Sequence, residues 1–292
     1  MLEKIFSSTA ALGVVDAIGR AADWRLPQPV LRPVIHAYGA MVGVDMDAAR
    51  KPPGGFSTFG DFFARRLRSD LRPICKDPDA MVSPCDGEVT GTGRLDESGE
   101  TNLAVKGRTW SAGDVVGRPQ SAAQFAGGGF AVIYLHPRDY HRVHIPFDGR
   151  VRRVRHVPGS RFPVAPWAEA QVGETVDRNE RVAFELDLKG GGRAAVTLVA
   201  AFGVGNIDTK LGPSRARMRK DEITEIDFDP GFDLERGEEI GAFRLGSTVV
   251  VLWSRGSASM DESWTGRRVE IGARIGGVAV GSVENDEIAK QR

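Results

Sequence analysis

The sequence predicts an α+β protein in which N-terminal helices pack on a β-rich, sandwich-like or barrel-like body. Apolar residues recur at helical spacing mainly within the first 72 residues. Beyond about residue 80 the apolar runs are short, and each one is either continuous or alternating. The chain has 36 glycines, and glycine-rich turns between short apolar runs are typical of sheets with many strands. We therefore expect a helical segment over 1–72 and a β-rich domain over 73–292.

Residues 1–72 are predicted to be mainly helical. The clearest pattern predicts a helix with apolar residues three and four positions apart: Leu31, Val34, Ile35, Tyr38, Met41 and Val42. A weaker pattern of the same kind covers 2–18. A third helix is predicted after the breaker at 52–55, with Ser57 or Thr58 as its cap. Its apolar side holds Phe59, Phe62, Phe63 and Leu67.

Residues 73–292 are predicted to form mainly short strands. The continuous run 130–135 lies between three glycines and a proline, which predicts a strand buried on both faces. The other predicted strands are 88–93, 151–157, 182–188, 194–201, 249–253 and 269–275. No internal repeat interrupts this series.

Composition excludes some classes of function. The 39 basic and 39 acidic side chains give no net charge, so no overall basic field favours nucleic acid. Cys75 and Cys85 are the only cysteines, and we expect them to be reduced thiols. No apolar run reaches the roughly 20 residues of a spanning helix. Charged residues interrupt the N-terminal apolar stretch, so a signal peptide is not expected, and membrane contact would be at the surface.

The helical segment allows two interpretations. It contains ten Lys or Arg and seven Asp or Glu residues over 1–72. Its apolar faces could pack on the core, or apolar and basic faces could rest on an anionic bilayer surface. The sequence leaves both open.

Three histidines, His136, His141 and His144, lie within nine residues just after the buried strand. Such density is compatible with a metal site, with acid–base chemistry or with structural roles. The spacing differs from that of a His-Glu-x-x-His helix, and no cysteine or carboxylate cluster lies beside them. The residues alone leave the three roles open.

Two other short pieces also have alternatives. Gly246-Ser247-Thr248 leads into the apolar run 249–253, and it is either a bulge or tight turn or the site of a nucleophilic serine. Asp86, in Cys85-Asp86-Gly87, is either a β-turn residue or a functional carboxylate. A serine hydroxyl needs a base, and the base needs an orienting group, which the fold brings together from distant positions.

Taken in order, these pieces resemble the phosphatidylserine decarboxylase family. The most specific match is Tyr140-His141-Arg142-Val143-His144. Others are Phe59–Arg65 with Arg72-Pro73-Ile74, Cys85-Asp86-Gly87, and Leu245-Gly246-Ser247-Thr248. Shorter matches lie at 105–107, 157–162 and 178–181, so that the resemblance spans about residues 56–255. His136 departs from the family, which commonly has a small residue there, and 162–166 differs from its usual sequence.

The resemblance implies a self-cleaving proenzyme. The bond between Gly246 and Ser247 would be cut, and Ser247 would become a covalent pyruvoyl cofactor. His144 would be the general base, with Asp86 and Ser247 as the other members of a triad. His141 would serve the decarboxylation stage, and no metal is implied.

The same resemblance implies the substrate and the setting. Phosphatidylserine would be converted to phosphatidylethanolamine through a Schiff base between its amine and the pyruvoyl ketone. Chains 1–246 and 247–292 would stay together as a heterodimer, with a higher homo-oligomer left open. The expected location is peripheral, at an anionic membrane surface on the cytoplasmic side of the cell membrane.

Two other hypotheses compete with this one. A serine hydrolase could use Asp86, His144 and Ser247 on an external substrate, although the Gly-x-Ser-x-Gly elbow of the common hydrolase type is absent. A non-catalytic lipid-binding module would make the triad accidental.

Overall fold

The computed structural model describes residues 17, 19–101, 109–164, 175–201, 207–213, 218, 221–244 and 247–279. A few helices accompany three antiparallel sheets there, which confirms the α+β prediction. The helices are α1 (Gln28–Val42), α2 (Phe59–Phe63), α3 (Ala112–Val115) and α4 (Ala122–Phe125). Short 3-10 turns lie at Pro119–Ser121 and Glu262–Trp264. The strands are β1 (Ala80–Val82), β2 (Gly87–Arg94), β3 (Gly129–Leu135), β4 (Arg142–His144), β5 (Gly149–Val157), β6 (Arg181–Leu188), β7 (Arg193–Ala200), β8 (Ile207–Thr209), β9 (Thr224–Leu234), β10 (Glu239–Phe243), β11 (Ser247–Trp253), β12 (Ala258–Met260), β13 (Arg268–Val269) and β14 (Arg274–Val278).

An open sheet of eight antiparallel strands forms the body, in the order β13-β2-β3-β11-β7-β6-β5-β9. It is not a closed barrel, because β13 and β9 are free edges of the sheet as described. Alternate residues of β11 belong to different cores, since Val249 and Val251 lie in one apolar cluster and Val250 and Leu252 in another. Burial on both faces explains why the sequence of this strand is a continuous apolar run.

Two small sheets complete the body, with the orders β4-β10-β8 and β1-β14-β12. The predicted strand over 269–275 is wrong in extent, because the chain forms β13, turns, and then forms β14. Gly272 has a φ of 83° in that turn, a conformation that only glycine adopts without strain. The other six predicted strands are confirmed within one or two residues at each end.

The N-terminal helices agree with the sequence in part. In α1, Leu31 and Ile35 face the interior, as predicted, whereas Val34 and Met41 of the same predicted apolar face are exposed. In α2, Thr58 is the cap, because its Oγ1 accepts a hydrogen bond from the Asp61 amide at 3.0 Å. This helix is shorter than predicted, since it ends at Phe63. The predicted helix over 2–18 lies almost wholly outside the described residues. Within the described part of the chain, no helix is long and apolar enough to cross a membrane.

Candidate active site

Ser247 is the first residue of β11, the strand held between β3 and β7. Its cross-strand partners are Leu135 and Ala200, and its exposed fraction is 0%. The serine is therefore held at the head of a central strand. Gly246, the other half of the predicted cleavage site, lies outside the described residues.

His141 contacts Ser247 directly. Its Nδ1 lies 3.3 Å from the Ser247 Oγ, and its Nε2 lies 3.0 Å from the carbonyl oxygen of His136. A carbonyl oxygen only accepts hydrogen bonds, so Nε2 carries the proton and Nδ1 is left with a lone pair. The ring of Phe63 packs against the imidazole, with ring centroids 4.1 Å apart. Ser247 thus faces a fixed, neutral proton acceptor.

Burial keeps His141 uncharged. Desolvation, together with the nearby Arg65 guanidinium, lowers the pKa of His141 to about 3. Arg65 is buried, and its Nη2 donates to the carbonyl oxygens of Arg138 and Asp139 at 2.6 and 3.0 Å. Those carbonyls belong to the segment just before β4, the strand that ends in His144. Arg65 therefore supports this segment and also opposes a proton on His141.

His144 is held by different partners. Its Nδ1 lies 2.7 Å from the carbonyl oxygen of Gly237, so this nitrogen donates. Its Nε2 is then the acceptor for the Tyr140 hydroxyl at 3.1 Å. Burial lowers the pKa of His144, with the Gly237 hydrogen bond acting in the opposite direction. Both ring nitrogens are thus engaged, and neither is hydrogen-bonded to Ser247 or Asp86.

Asp86 is buried and paired with a cation. Arg72 donates to its carboxylate from Nη2 at 2.8 Å and from Nε at 3.1 Å. The backbone amide of Ile271 donates to Oδ1 at 2.9 Å. The next position, 87, requires glycine, because a Cβ there would lie 2.5 Å from the carbonyl oxygen of Tyr134 on β3. The Asp-Gly pair is therefore a bend that brings a carboxylate close to the sheet.

The structure thus pairs the predicted residues differently from a simple triad. It brings Ser247 to His141, His144 to Tyr140 and Asp86 to Arg72. The roles assigned to these side chains remain predictions. Sequence reasoning missed Tyr140 and Arg72 as partners, although both lie inside the pieces that carried the resemblance. Tyr140 is four residues before His144. In a helix this spacing would place the two side chains side by side, but Tyr140 precedes β4 and His144 ends it, so the spacing did not predict their contact.

His136 lies at the edge of this arrangement. Its Nε2 is 3.2 Å from Glu88 Oε2, and its backbone amide donates to Asp139 at 2.8 Å. No group of three or more His, Cys, Asp or Glu side chains among the described residues is arranged to hold a metal ion. Cys75 and Cys85 are free thiols, as predicted.

A buried serine at a strand head, beside a neutral imidazole, is an arrangement found in proteins with a nucleophilic serine. Comparison with known proteins identifies the family. The chain matches the phosphatidylserine decarboxylase family over residues 59–277. It is 36% identical to the phosphatidylserine decarboxylase proenzyme of Anaeromyxobacter sp. (strain K), over 96% of this chain and 100% of that protein.

Two further relatives bear the same name. The proenzyme of Bordetella petrii is 40% identical, over 82% of this chain and 83% of the relative. That of Azotobacter vinelandii is 39% identical, over 87% and 91%. The chain therefore belongs to the phosphatidylserine decarboxylase family, which confirms the resemblance drawn from the sequence.

Proposed function

We propose that this chain is a self-cleaving proenzyme that decarboxylates phosphatidylserine to phosphatidylethanolamine with a pyruvoyl group made from Ser247. Family membership supports the reaction. The observation that carries the site is the contact between Ser247 Oγ and the neutral Nδ1 of His141. It joins the residue that would become the cofactor to a histidine that the family resemblance connects with decarboxylation.

Burial of Ser247 favours attack on the chain's own backbone. The exposed fraction of Ser247 is 0%, and the Gly246 carbonyl is covalently adjacent, so attack on it needs no entry of another molecule. In the proposed step, Ser247 Oγ loses its proton to a histidine and attacks the Gly246 carbonyl carbon, and the peptide bond is replaced by an ester. β-Elimination then releases a carboxylate at Gly246, and hydrolysis of the dehydroalanine left at 247 gives a ketone and ammonia.

The base for this step has two candidates. The resemblance assigns His144, oriented by Asp86, and we retain that triad in the proposal. The Tyr140 hydroxyl has to leave His144 Nε2 before that nitrogen accepts the serine proton, because the tyrosine occupies it in the structure. His141 is the second candidate, since its Nδ1 already lies 3.3 Å from the hydroxyl.

The surroundings of residue 247 fit a pyruvoyl group. When present, the group supplies an electrophilic ketone and an electron sink for the carbon that loses carbon dioxide. The Thr248 hydroxyl is buried and has no hydrogen-bond partner among the described residues, but it lies on the opposite face of β11 from the Ser247 side chain, so the fit rests on His141. His141 adjoins residue 247, where it can take up and return a proton.

The heterodimer is also part of the proposal. Each of the seven residues of β11 is paired with β3 on one side and with β7 on the other. Cleavage just before Ser247 would leave this pairing intact. We expect chains 1–246 and 247–292 to stay associated for that reason.

Membrane-surface binding is supported by α1. Val30, Val34 and Met41 are exposed, at 51%, 46% and 75%, and they lie within about 40° of one another around the helix axis at 3.6 residues per turn. Leu31 and Ile35, about 80° and 120° around the helix from the centre of that stripe, are buried. The helix thus has one apolar stripe against the core and another facing outward, which suits an interfacial helix.

An intact-mass spectrum of the denatured protein tests the proposal. We expect two chains that result from a break between Gly246 and Ser247. The shorter one should begin with pyruvoyl. Ser247→Ala serves as the uncut control. A single unbroken chain in protein that nevertheless turns over substrate would favour the serine hydrolase instead.

A further inference from the structure

A cleft of 460 Å³ lies next to the small sheet β4-β10-β8. Arg50 and Lys51, which follow α1, line it on one side, and Arg142 and Glu239 of the sheet line it on the other. Arg142 lies between the two histidines in the sequence, and Glu239 is the cross-strand partner of His144. The cleft, named here the basic cleft, therefore borders the strand that ends in His144.

Positive charge distinguishes the basic cleft. Seven basic and three acidic side chains line it. A second cleft, of 1010 Å³, is lined by five basic and five acidic side chains. The excess of basic over acidic side chains is therefore found in the basic cleft and not in the second cleft.

The acidic side chains of the basic cleft are already engaged. Glu239 accepts hydrogen bonds from Arg142 and Arg66 at 2.7 and 2.9 Å. Arg244 binds Asp208 at 2.7 Å and Asp61 at 3.1 Å. These carboxylates are thus compensated within the cleft by Arg142, Arg66 and Arg244.

Three cations have no such compensation. Arg50 and Lys51 are exposed and form no ion pair with a described residue. Arg65 also lines the cleft and is buried, and its Nε and Nη1 have no hydrogen-bond partner. A buried guanidinium without a direct ion pair raises the positive potential around it, because the low dielectric of the interior screens it weakly.

We propose that the basic cleft binds the phosphodiester of a phospholipid headgroup, with Arg50 and Lys51 as its direct ligands. This inference rests on the proposed function and adds to it the site that holds the anionic part of the lipid. Arginine and lysine form charge-assisted hydrogen bonds with phosphate oxygens. Gln28 Nε2 donates to the carbonyl oxygen of Phe56 at 2.7 Å, which joins the start of α1 to the lining of the cleft. The cleft is therefore attached to the helix that carries the exposed apolar stripe.

The test uses the processed enzyme and dihexanoyl phosphatidylserine below its critical micelle concentration, so that no membrane is present. We expect Arg50→Gln/Lys51→Gln to raise KM about tenfold, as for loss of charge-assisted hydrogen bonds, with kcat within about twofold. Arg50→Lys/Lys51→Arg, which keeps both charges, should restore KM. The matched control is Lys76→Gln/Lys189→Gln in the second cleft, which should leave both constants unchanged.

A second experiment measures lipid binding without catalysis. It shows whether the basic cleft binds the substrate or another anionic lipid. Calorimetry with the uncut Ser247→Ala chain would measure binding of dihexanoyl phosphatidylglycerol, which shares the phosphodiester but lacks the serine group. Loss of this binding in Arg50→Gln/Lys51→Gln with an unchanged KM for phosphatidylserine would assign the cleft to a second lipid. Unchanged binding together with unchanged KM would overturn the proposal. Absence of decarboxylation in the unmutated enzyme would refute the proposed function, while the calorimetric result on the cleft would stand.

Discussion

The Nδ1 of His141 lies 3.3 Å from the hydroxyl oxygen of Ser247, although 106 positions separate the two residues in the chain. A carbonyl oxygen, that of His136, holds the other ring nitrogen, where a Ser-His-Asp triad would have a carboxylate. The imidazole is thus oriented and neutral without a charged partner. This arrangement places a proton acceptor at residue 247.

Single-histidine variants separate the two stages. We expect His144→Ala to remain a single uncut chain, because the proposed base is lost, and His141→Ala to be cut but to decarboxylate at least about 100-fold more slowly. Intact mass measures the first effect and carbon dioxide release the second. His36→Ala, at an exposed position, is the control. An uncut His141→Ala beside a fully cut His144→Ala would transfer the role of base to His141.

Tyr140→Phe gives an independent view of the same question. The change removes the hydroxyl that occupies His144 Nε2 and keeps the buried ring. If His144 takes the serine proton, cleavage should be faster than in the unmutated chain, as followed by gel electrophoresis during refolding. An unchanged rate would point to His141, whose contact with Ser247 does not involve Tyr140.

The lowered pKa of His141 predicts how stability depends on pH. The folded protein resists a proton at this site down to about pH 3, whereas the unfolded chain accepts one below about 6.5. The free energy of unfolding is therefore unaffected by this group above about 6.5. It falls as the pH decreases toward 3, by up to about 1.4 kcal/mol per unit.

Urea unfolding between pH 7.5 and 5 measures this slope. His141→Phe should lose stability less steeply with acidification than the unmutated protein, whatever its stability at neutral pH. His36→Ala, at an exposed position, is the control variant. Equal slopes for the unmutated protein and His141→Phe would contradict the lowered pKa.

Much of the fold could be predicted because its signals are local. The continuous apolar run of β3 and the alternation in β5 follow from which faces of each strand are buried. Strand β9 was missed because it is an edge strand, whose acidic residues and Pro230 obscure the pattern. Its sequence reflects exposure to water and ion pairing with β5.

The site could be predicted only as a set of residues. Asp86, His141, His144 and Ser247 came from pieces that carry the family resemblance, and all four are buried or half-buried. Of the other three, His141 contacts Ser247 at the head of β11. Their hydrogen-bond partners could not be inferred, because tertiary packing decides them. Arg65 illustrates this, because α2 ends at Phe63 and the arginine beyond its end is buried.

The ion pair between Asp86 and Arg72 should contribute to stability as a unit. Removing Arg72 leaves the buried Asp86 carboxylate without a cation, which typically costs about 3–5 kcal/mol. Removing Asp86 costs less, because Arg72 is half-buried and keeps Glu270 as a partner at 3.3 Å. We expect Asp86→Asn and Arg72→Gln each to lower the free energy of unfolding, and the double variant to lose clearly less than the two losses together. Additive losses in denaturant titrations would show that the pair is not coupled. Arg68→Gln, whose partner Asp70 is exposed, should leave stability nearly unchanged, because water screens such a pair.

The outer stripe of α1 makes a prediction about lipid surfaces. Val34→Glu/Met41→Glu places two acidic groups on that stripe, where they would be repelled by anionic headgroups and would lose apolar burial in the interface. Sedimentation with phosphatidylglycerol vesicles should therefore show binding at least about tenfold weaker, while turnover of monomeric dihexanoyl phosphatidylserine is retained. The matched control is Ile223→Glu/Phe232→Glu, since these side chains are also large, apolar and about half exposed but lie on or beside the edge strand β9. Equal loss of vesicle binding in both pairs would mean that added negative charge alone causes it, and α1 would then have no special part in membrane contact.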